Sequence, residues 1–150
     1  MKLVISTLLI AMTPVVELRG AIPAGVAGGL PLLTAAIAAI IGNLIPVPFV
    51  LVFIRSVIHW MEQKSEFLGN IASKLKAKAD SKKDQVLKYE FWGLVALVAM
   101  PLPGTGAWTG ALVAAMLDMQ LKRAVPAILL GVVIAGVLVS LATLGVVSIW

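Results

Sequence analysis

The chain has no cysteine, one histidine, one tyrosine and few charges: Asp, Glu, Lys and Arg make up only 13% of its 150 residues. Without cysteine, disulfides and thiolate metal sites are excluded. The lone imidazole, His59, lies at the edge of an apolar segment and reads as interfacial packing, not as a ligand. There is no His-Glu-x-x-His, no Gly-x-Ser-x-Gly and no cluster of carboxylates, so neither catalysis nor a metal nor a cofactor is expected. A cleaved leader is not expected either. Lys2 to Met12 has a basic start and an apolar run, but Pro14 to Gly20 is a poor small-residue cleavage site.

Apolar residues fill the space that the missing types leave. They make up 61% of the chain, and the mean hydropathy is +1.06, far above the share usual in soluble domains. The length fits one domain, and the composition predicts an integral membrane protein. The net charge is +5, with most of the excess in a single segment between apolar stretches. Acidic lipid headgroups account for that pattern better than nucleic acid does. The expected division is a first hairpin and span over 1–58, a basic cytoplasmic loop over 59–90, and a second hairpin and span over 91–150.

The organising stretch is Thr13-Pro14-Val15-Val16-Glu17-Leu18-Arg19-Gly20-Ala21-Ile22-Pro23. It sets a carboxylate, a guanidinium, a glycine and two prolines between apolar runs that extend from Leu3 to Ile41. A charge at bilayer depth costs roughly 2.5–3.5 kcal/mol, so a use for it is expected. Leu3 to Val16 would rise only about 21 Å as a helix against a hydrocarbon core of about 30 Å. The expectation is therefore a helix that enters the membrane, breaks and returns through Ala21 to Gly29. Irregular backbone at that depth must be buried in protein or line a watery cavity.

Leu32 to Ile54 is long enough to span, with kinks expected at Gly42-Asn43, Pro46 and Pro48. His59 to Glu90 is polar and lysine-rich. Leu68, Ile71, Ala72 and Leu75 recur there at helical spacing, which predicts an amphipathic helix on the membrane surface within a solvated basic loop. Ser81 and Asp84 form a capping-box signature for a further helix. Phe91 to Leu117 is uncharged but cut by Pro101-Leu102-Pro103-Gly104-Thr105-Gly106, a second short arm, Pro/Gly tip and small-residue arm. Asp118, Lys122 and Arg123 make a polar turn, and Ala124 to Trp150 is the last span. Pairing Pro14 with Pro101, Gly20 with Ala107 and Gly42 with Gly131 gives two halves offset by about 87–89 positions.

Each half would reverse its side of the membrane. The fold class expected is thus all-α, an inverted repeat of re-entrant helical hairpin plus transmembrane helix. Arg55, the middle loop and the Lys122-Arg123 turn then share one face, which the positive-inside rule assigns to the cytoplasm, with both termini outside. Trp60, Trp92 and Trp150 fall at interfacial depths. An alternative with Leu3–Val16, Ala21–Ile41 and Leu44–Ile54 as separate spans leaves the last too short to cross.

Glu17-Leu18-Arg19-Gly20-Ala21-Ile22-Pro23, Gly42-Asn43 with its following prolines, and the run from Pro101 to Gly110 resemble the bacterial and archaeal family of small multi-drug export proteins. The likeness runs through nearly the whole chain. That family in turn resembles the DedA superfamily, which implies two re-entrant hairpins facing each other and a link to polyprenyl-phosphate carrier lipids. Pro103-Gly104 fits the DedA second hairpin, whereas the DedA arginine falls where Gly106 stands, which weakens a lipid-phosphate substrate carried over by analogy.

The chemistry on offer favours transport. Helices that start in mid-membrane, here from Ala21 and from about Ala107, point partially positive ends inward, as transporters do toward anions. The expected substrate-binding residues are Glu17, Arg19, Gly20, Asn43, Pro103, Gly104, Thr105, Gly106, Trp108 and Thr109. Glu17 is the proton-coupling candidate, because a bound anion would compete with it for Arg19. Each has a plainer role: an ion pair for Glu17 and Arg19, kink packing for Asn43, tip packing for Trp108, and bonds to local backbone for Thr105 and Thr109. Partners expected are membrane lipids, a small anionic or amphiphilic substrate and a second copy of the chain. The competing readings are proton-coupled export of cations with Glu17 as the binding acid, and a non-transporting scaffold docking through residues 64–83.

Overall fold

The computed structural model describes the whole chain except Tyr89, Pro103, Gly104 and Trp150, and every side chain apart from those and from Arg55, Ile58, Ala79 and residues 81–88. Among the described residues there are helices and no strand. In order they are α1 (Lys2–Ala11), α2 (Glu17–Ala27), α3 (Leu32–Leu44), α4 (Val47–Lys64), α5 (Glu66–Lys88), α6 (Glu90–Ala99), α7 (Ala107–Met116) and α8 (Leu121–Ile149).

Two stretches are apolar and long enough to cross a membrane: Leu32–Ile54, made of α3 and the start of α4, and α8 itself. The first bends at Pro46, which separates the two helices, and Pro48 lies in the opening turn of α4, where a missing N–H costs least. Large apolar side chains such as Leu33, Phe49 and Leu141 stand exposed. A water-facing surface rarely carries so much apolar area, so the outer faces suit lipid. The remaining apolar helices are short. At about 1.5 Å per residue, the 10 residues of α1, α6 or α7 rise only half the thickness of a hydrocarbon core.

The first break is tighter than the sequence implies. It occupies residues 12–16, and the returning helix starts at Glu17, not at Ala21. Proline disfavours helix in the residue before it, which ends α1 ahead of Pro14. Glu17 then takes a left-handed φ of 51°, turning the chain so sharply that helix resumes at once. Gly20 and Pro23 consequently sit inside α2. The second break falls where expected, between Ala99 and Ala107.

Glycine sets how the helices pack. A Cβ on Gly42 would lie 2.3 Å from the Leu8 carbonyl oxygen, so α3 rests on the backbone of α1 there. A Cβ on Gly131 would lie 2.6 Å from Val98 Cβ, so α8 rests on α6 in the same manner. These two glycines are partners in the internal sequence pairing. Across the halves, α2 packs on α8, and α7 packs on α4.

The middle segment departs from a solvated loop. α5 packs against α4, α6 and α7, with Ala72 fully buried and Leu75 half-buried. Its helix continues through Ser81 and Asp84 without a new start; those two side chains lie outside the described residues. The packing of α5 against three other helices outweighs the local capping signal.

Candidate functional site: the meeting of the two breaks

A broken helix pair leaves two sets of backbone groups unpaired: carbonyls at the end of the incoming helix and amides at the start of the outgoing one. At the second break those are the carbonyls after α6 and the N–H groups opening α7. The first break supplies the complementary charge to each. Arg19 donates through its guanidinium to the Met100 and Thr105 carbonyls and to Thr105 Oγ1 at 3.1 Å. Glu17 accepts the Trp108 N–H at 3.3 Å, with the Ala107 N–H beside it. A cation thus meets the carbonyl end of α6 and an anion the amide end of α7, the signs that the two helix dipoles favour.

Spacing explains how one short helix does both. Glu17 opens α2 in its left-handed turn and Arg19 follows two residues later, so the side chains fan out from one tip. They stay 3.5 Å apart, Arg19 Nη1 to Glu17 Oε2. Glu17 is 4% exposed, and a charge so buried requires this degree of pairing. Gly106 makes room for it. Its φ is +131°, and a Cβ there would fall 2.1 Å from Glu17 Oε2. Only glycine combines that backbone angle with that approach.

Thr105, also buried, holds the loop's shape. Its hydroxyl lies 2.7 Å from the carbonyl oxygens of both Met100 and Leu102 while accepting from Arg19. Thr109 is buried and borders the same space. A polar cavity of 470 Å³ opens here, lined by Glu17, Arg19, Thr105, Thr109, Pro14 and Lys78 among others. An apolar groove of 610 Å³ between α2 and α8 shares Arg19 and Pro101 with it. Two side-chain donors, Arg19 Nε on the wall of both spaces and Trp108 Nε1 at the start of α7, are buried without an acceptor among the described residues.

The comparison with known proteins follows the same residues. The sequence signature of the small multi-drug export protein family matches residues 17–138, beginning at Glu17 directly after the first break and taking in the second. The chain belongs to that family. No curated protein and no solved structure matches it. The family and the two apolar helices together point to a membrane location. The family's description is of small multi-drug export proteins, and as a member of an export family the chain fits the expectation of a non-enzyme.

Of the residues singled out from sequence, Glu17, Arg19, Thr105, Gly106, Trp108 and Thr109 gather at this meeting point. Pro103 and Gly104 lie outside the described residues. Gly20 is an interior residue of α2 against Val16. Asn43 is buried in α3, its amide oxygen unpaired, and does not line the polar cavity. Gly110, at the end of the second signature run, admits Val98 of α6. The start of α7 is likewise engaged by Glu17, where two open helix starts were expected. Sequence reasoning missed Lys78 altogether, because α5 reads as a surface helix until its packing against α7 is known. Among the described residues, no three His, Asp or Glu side chains converge as a metal ion would require.

Proposed function

We propose that this member of the small multi-drug export family is a transporter whose substrate carries an anionic group, bound where the two breaks cross. The observation that carries the reading is the pairing of Glu17 with the amide end of α7 and with Arg19 on the wall of a polar cavity. Glu17 occupies the place an external anion would take. A bound anion and a charged Glu17 compete for Arg19 and for the α7 amides, so protonation of Glu17 frees the site and couples transport to protons. The groove beside Arg19 gives an amphiphilic substrate room for its apolar part.

The reading includes two re-entrant hairpins in inverted halves. Short arms, the matched packing roles of Gly42 and Gly131, and the crossed contacts of α2 with α8 and α7 with α4 support it. It places the chain in the cytoplasmic membrane with both termini outside and residues 59–90 inside. Because two spans enclose little volume, two copies are proposed to work as a dimer, which the mass of the purified protein in detergent reads directly.

A second reading has one observation in its favour. The groove is apolar and drug-sized, as export of lipophilic cations would need, with Glu17 as the binding acid. Flux into proteoliposomes by wild type, Glu17→Gln and Arg19→Gln separates the two. The anion reading expects Arg19→Gln to abolish uptake of an anionic probe and Glu17→Gln to abolish its dependence on a proton gradient. Transport of a lipophilic cation that survives Arg19→Gln and fails in Glu17→Gln establishes the second reading instead. A scaffold role would follow if both variants kept full cellular function while replacing residues 64–83 with a neutral linker removed it.

A further inference from the structure

Among its described lining residues the apolar groove has a single charged one, Arg19. The course of the helices puts it at one end. α6 and α8 run side by side in the same direction, since Glu90 pairs with Arg123 and Val98 meets Gly131. α8 therefore passes the end of α6, where Arg19 holds the Met100 carbonyl, and continues beyond the tip. α3 returns along α8, with Ile40 against Gly136 and Leu32 and Leu144 bordering one space. The turn from α2 to α3 thus lies beside the far part of α8, and α2 leads away from the tip as α8 does. Arg19 and Pro101 border the inner end of the groove, and Ala27 and Val147 its outer end. Between them the wall is apolar except for Thr143, whose hydroxyl donates to the Val139 carbonyl at 2.8 Å. Pro23, Ala27 and Ala142 are exposed, so the groove is open along its side.

We propose that this groove seats one alkyl chain with its oxyanion head at Arg19, so that the substrate is a single-chain amphiphilic anion entering sideways from the lipid. This rests on the anion reading given above and fixes the form of the substrate's apolar part. Three observations commit the groove to that occupant. Its charge is at one end only, which suits a molecule that is polar at one end only. Arg19 Nε is buried with no acceptor among the described residues, and the oxygens of a phosphate, sulfate or carboxylate supply one. The space is also too small for a helix from a second copy. A helix about 10 Å across filling the same length needs on the order of 1,100 Å³, against the 610 Å³ present.

The walls set a length. Leu138 to Val147 covers about 14 Å of α8, and Arg19 to Ala27 about 12 Å of α2, at about 1.5 Å per residue. A fully extended chain advances roughly 1.2 Å per bond. About ten to twelve carbons therefore lie inside the groove. Ala142 stands about 6 Å along α8 from Leu138, level with about the fifth carbon.

Equilibrium dialysis of the full chain in a neutral detergent, with protein-free micelles subtracted, tests this. The probes are methyl, butyl, octyl and dodecyl phosphate, and dodecyltrimethylammonium. The proteins are wild type, Ala142→Phe, Ala27→Phe, Arg19→Gln and the control Gly145→Phe, which adds the same ring to α8 where a Cβ meets nothing within 4 Å. Ala142→Phe should bind methyl and butyl phosphate as wild type does. It should weaken octyl and dodecyl phosphate by roughly tenfold, the scale of forcing bulk into a filled contact. Ala27→Phe, at the outer end, should weaken dodecyl phosphate alone. Gly145→Phe should leave the series unchanged, and wild type should bind dodecyltrimethylammonium more weakly than dodecyl phosphate. Should Ala142→Phe and Ala27→Phe weaken no phosphate, or all of them alike, the chain does not sit in the groove. The anion reading then stands without it, provided that Arg19→Gln weakens the whole series. Equal losses in Gly145→Phe, or equal binding of the ammonium probe, also overturn the assignment. A change of mass in detergent on Ala142→Phe gives the groove to a second copy instead. If wild type binds none of the phosphates, both proposals fall. Ala27, Ala142 and Gly145 are exposed, so their variants are expected to fold, and unchanged melting without probe checks that.

Discussion

At the scale of single residues, Gly106 does the most for the least mass. Its positive φ and missing Cβ let the Glu17 carboxylate sit against the opening amides of α7. Gly106→Ala would pay twice: a left-handed backbone angle costs about 1–3 kcal/mol in a side-chain-bearing residue, and the new methyl would occupy the carboxylate's place. The expected result is a fall in stability of that order together with loss of transport, read by thermal melting in detergent and by proteoliposome flux. Glu17→Gln should behave differently, because an amide oxygen still accepts the Trp108 N–H. It is expected to melt within about 2 kcal/mol of wild type, the upper range of a charge–dipole contact, while losing proton dependence. A Gly106→Ala protein that melts and transports normally would show that the Glu17 seat is dispensable. Glu17 and Arg19 were legible from sequence as charges too costly to be idle. Which backbone groups they serve was not, since those lie about 90 residues away.

The elements pack through glycines placed in the same role in each half. Gly42 lets α3 settle on α1, and Gly131 lets α8 settle on α6. Forcing a methyl into a close-packed contact typically costs 1–3 kcal/mol. Gly42→Ala and Gly131→Ala should each lose on the order of that amount. Gly42→Ala should be the worse, since the obstacle is the Leu8 backbone, which cannot turn aside. Gly145 in α8 is the control. Nothing lies within 4 Å of a Cβ there, so Gly145→Ala should be neutral or stabilise by up to about 1 kcal/mol through helix propensity. Melting of the three variants side by side checks the ranking, and equal losses at all three would remove the packing argument. The pairing of Gly42 with Gly131 was readable as a spacing. Its meaning as helix contact was not, because periodicity does not say which helix a face meets.

For the whole molecule the open quantity is how deep the first hairpin reaches. The absence of cysteine makes the chain ready for single-cysteine labelling at Lys2, Val15 and Lys74. With re-entrant hairpins, a bulky membrane-impermeant maleimide should reach position 2 from outside and position 74 from the cytoplasm. It should label position 15 from neither side, although Val15 is 91% exposed, while a small methanethiosulfonate reagent arrives through the cavity it shares with Lys78. Rapid maleimide labelling of position 15 from the cytoplasmic side would mean that α1 and α2 cross completely, and the re-entrant reading would be lost.

Sequence alone determined the helical class, the two long apolar helices, the site of the second break, the existence of the first and the unusual placing of a carboxylate beside a guanidinium. Those follow from composition, proline chemistry and the cost of charge in an apolar setting, all of which act locally along the chain. Tertiary structure alone decided what the charges touch. It set Arg19 on the carbonyl end of α6 and Glu17 on the amide end of α7, folded α5 into the bundle, and brought Lys78 to the same cavity. Such contacts depend on helix ends and cavities made by segments far apart in sequence, and no local pattern encodes which ends will meet.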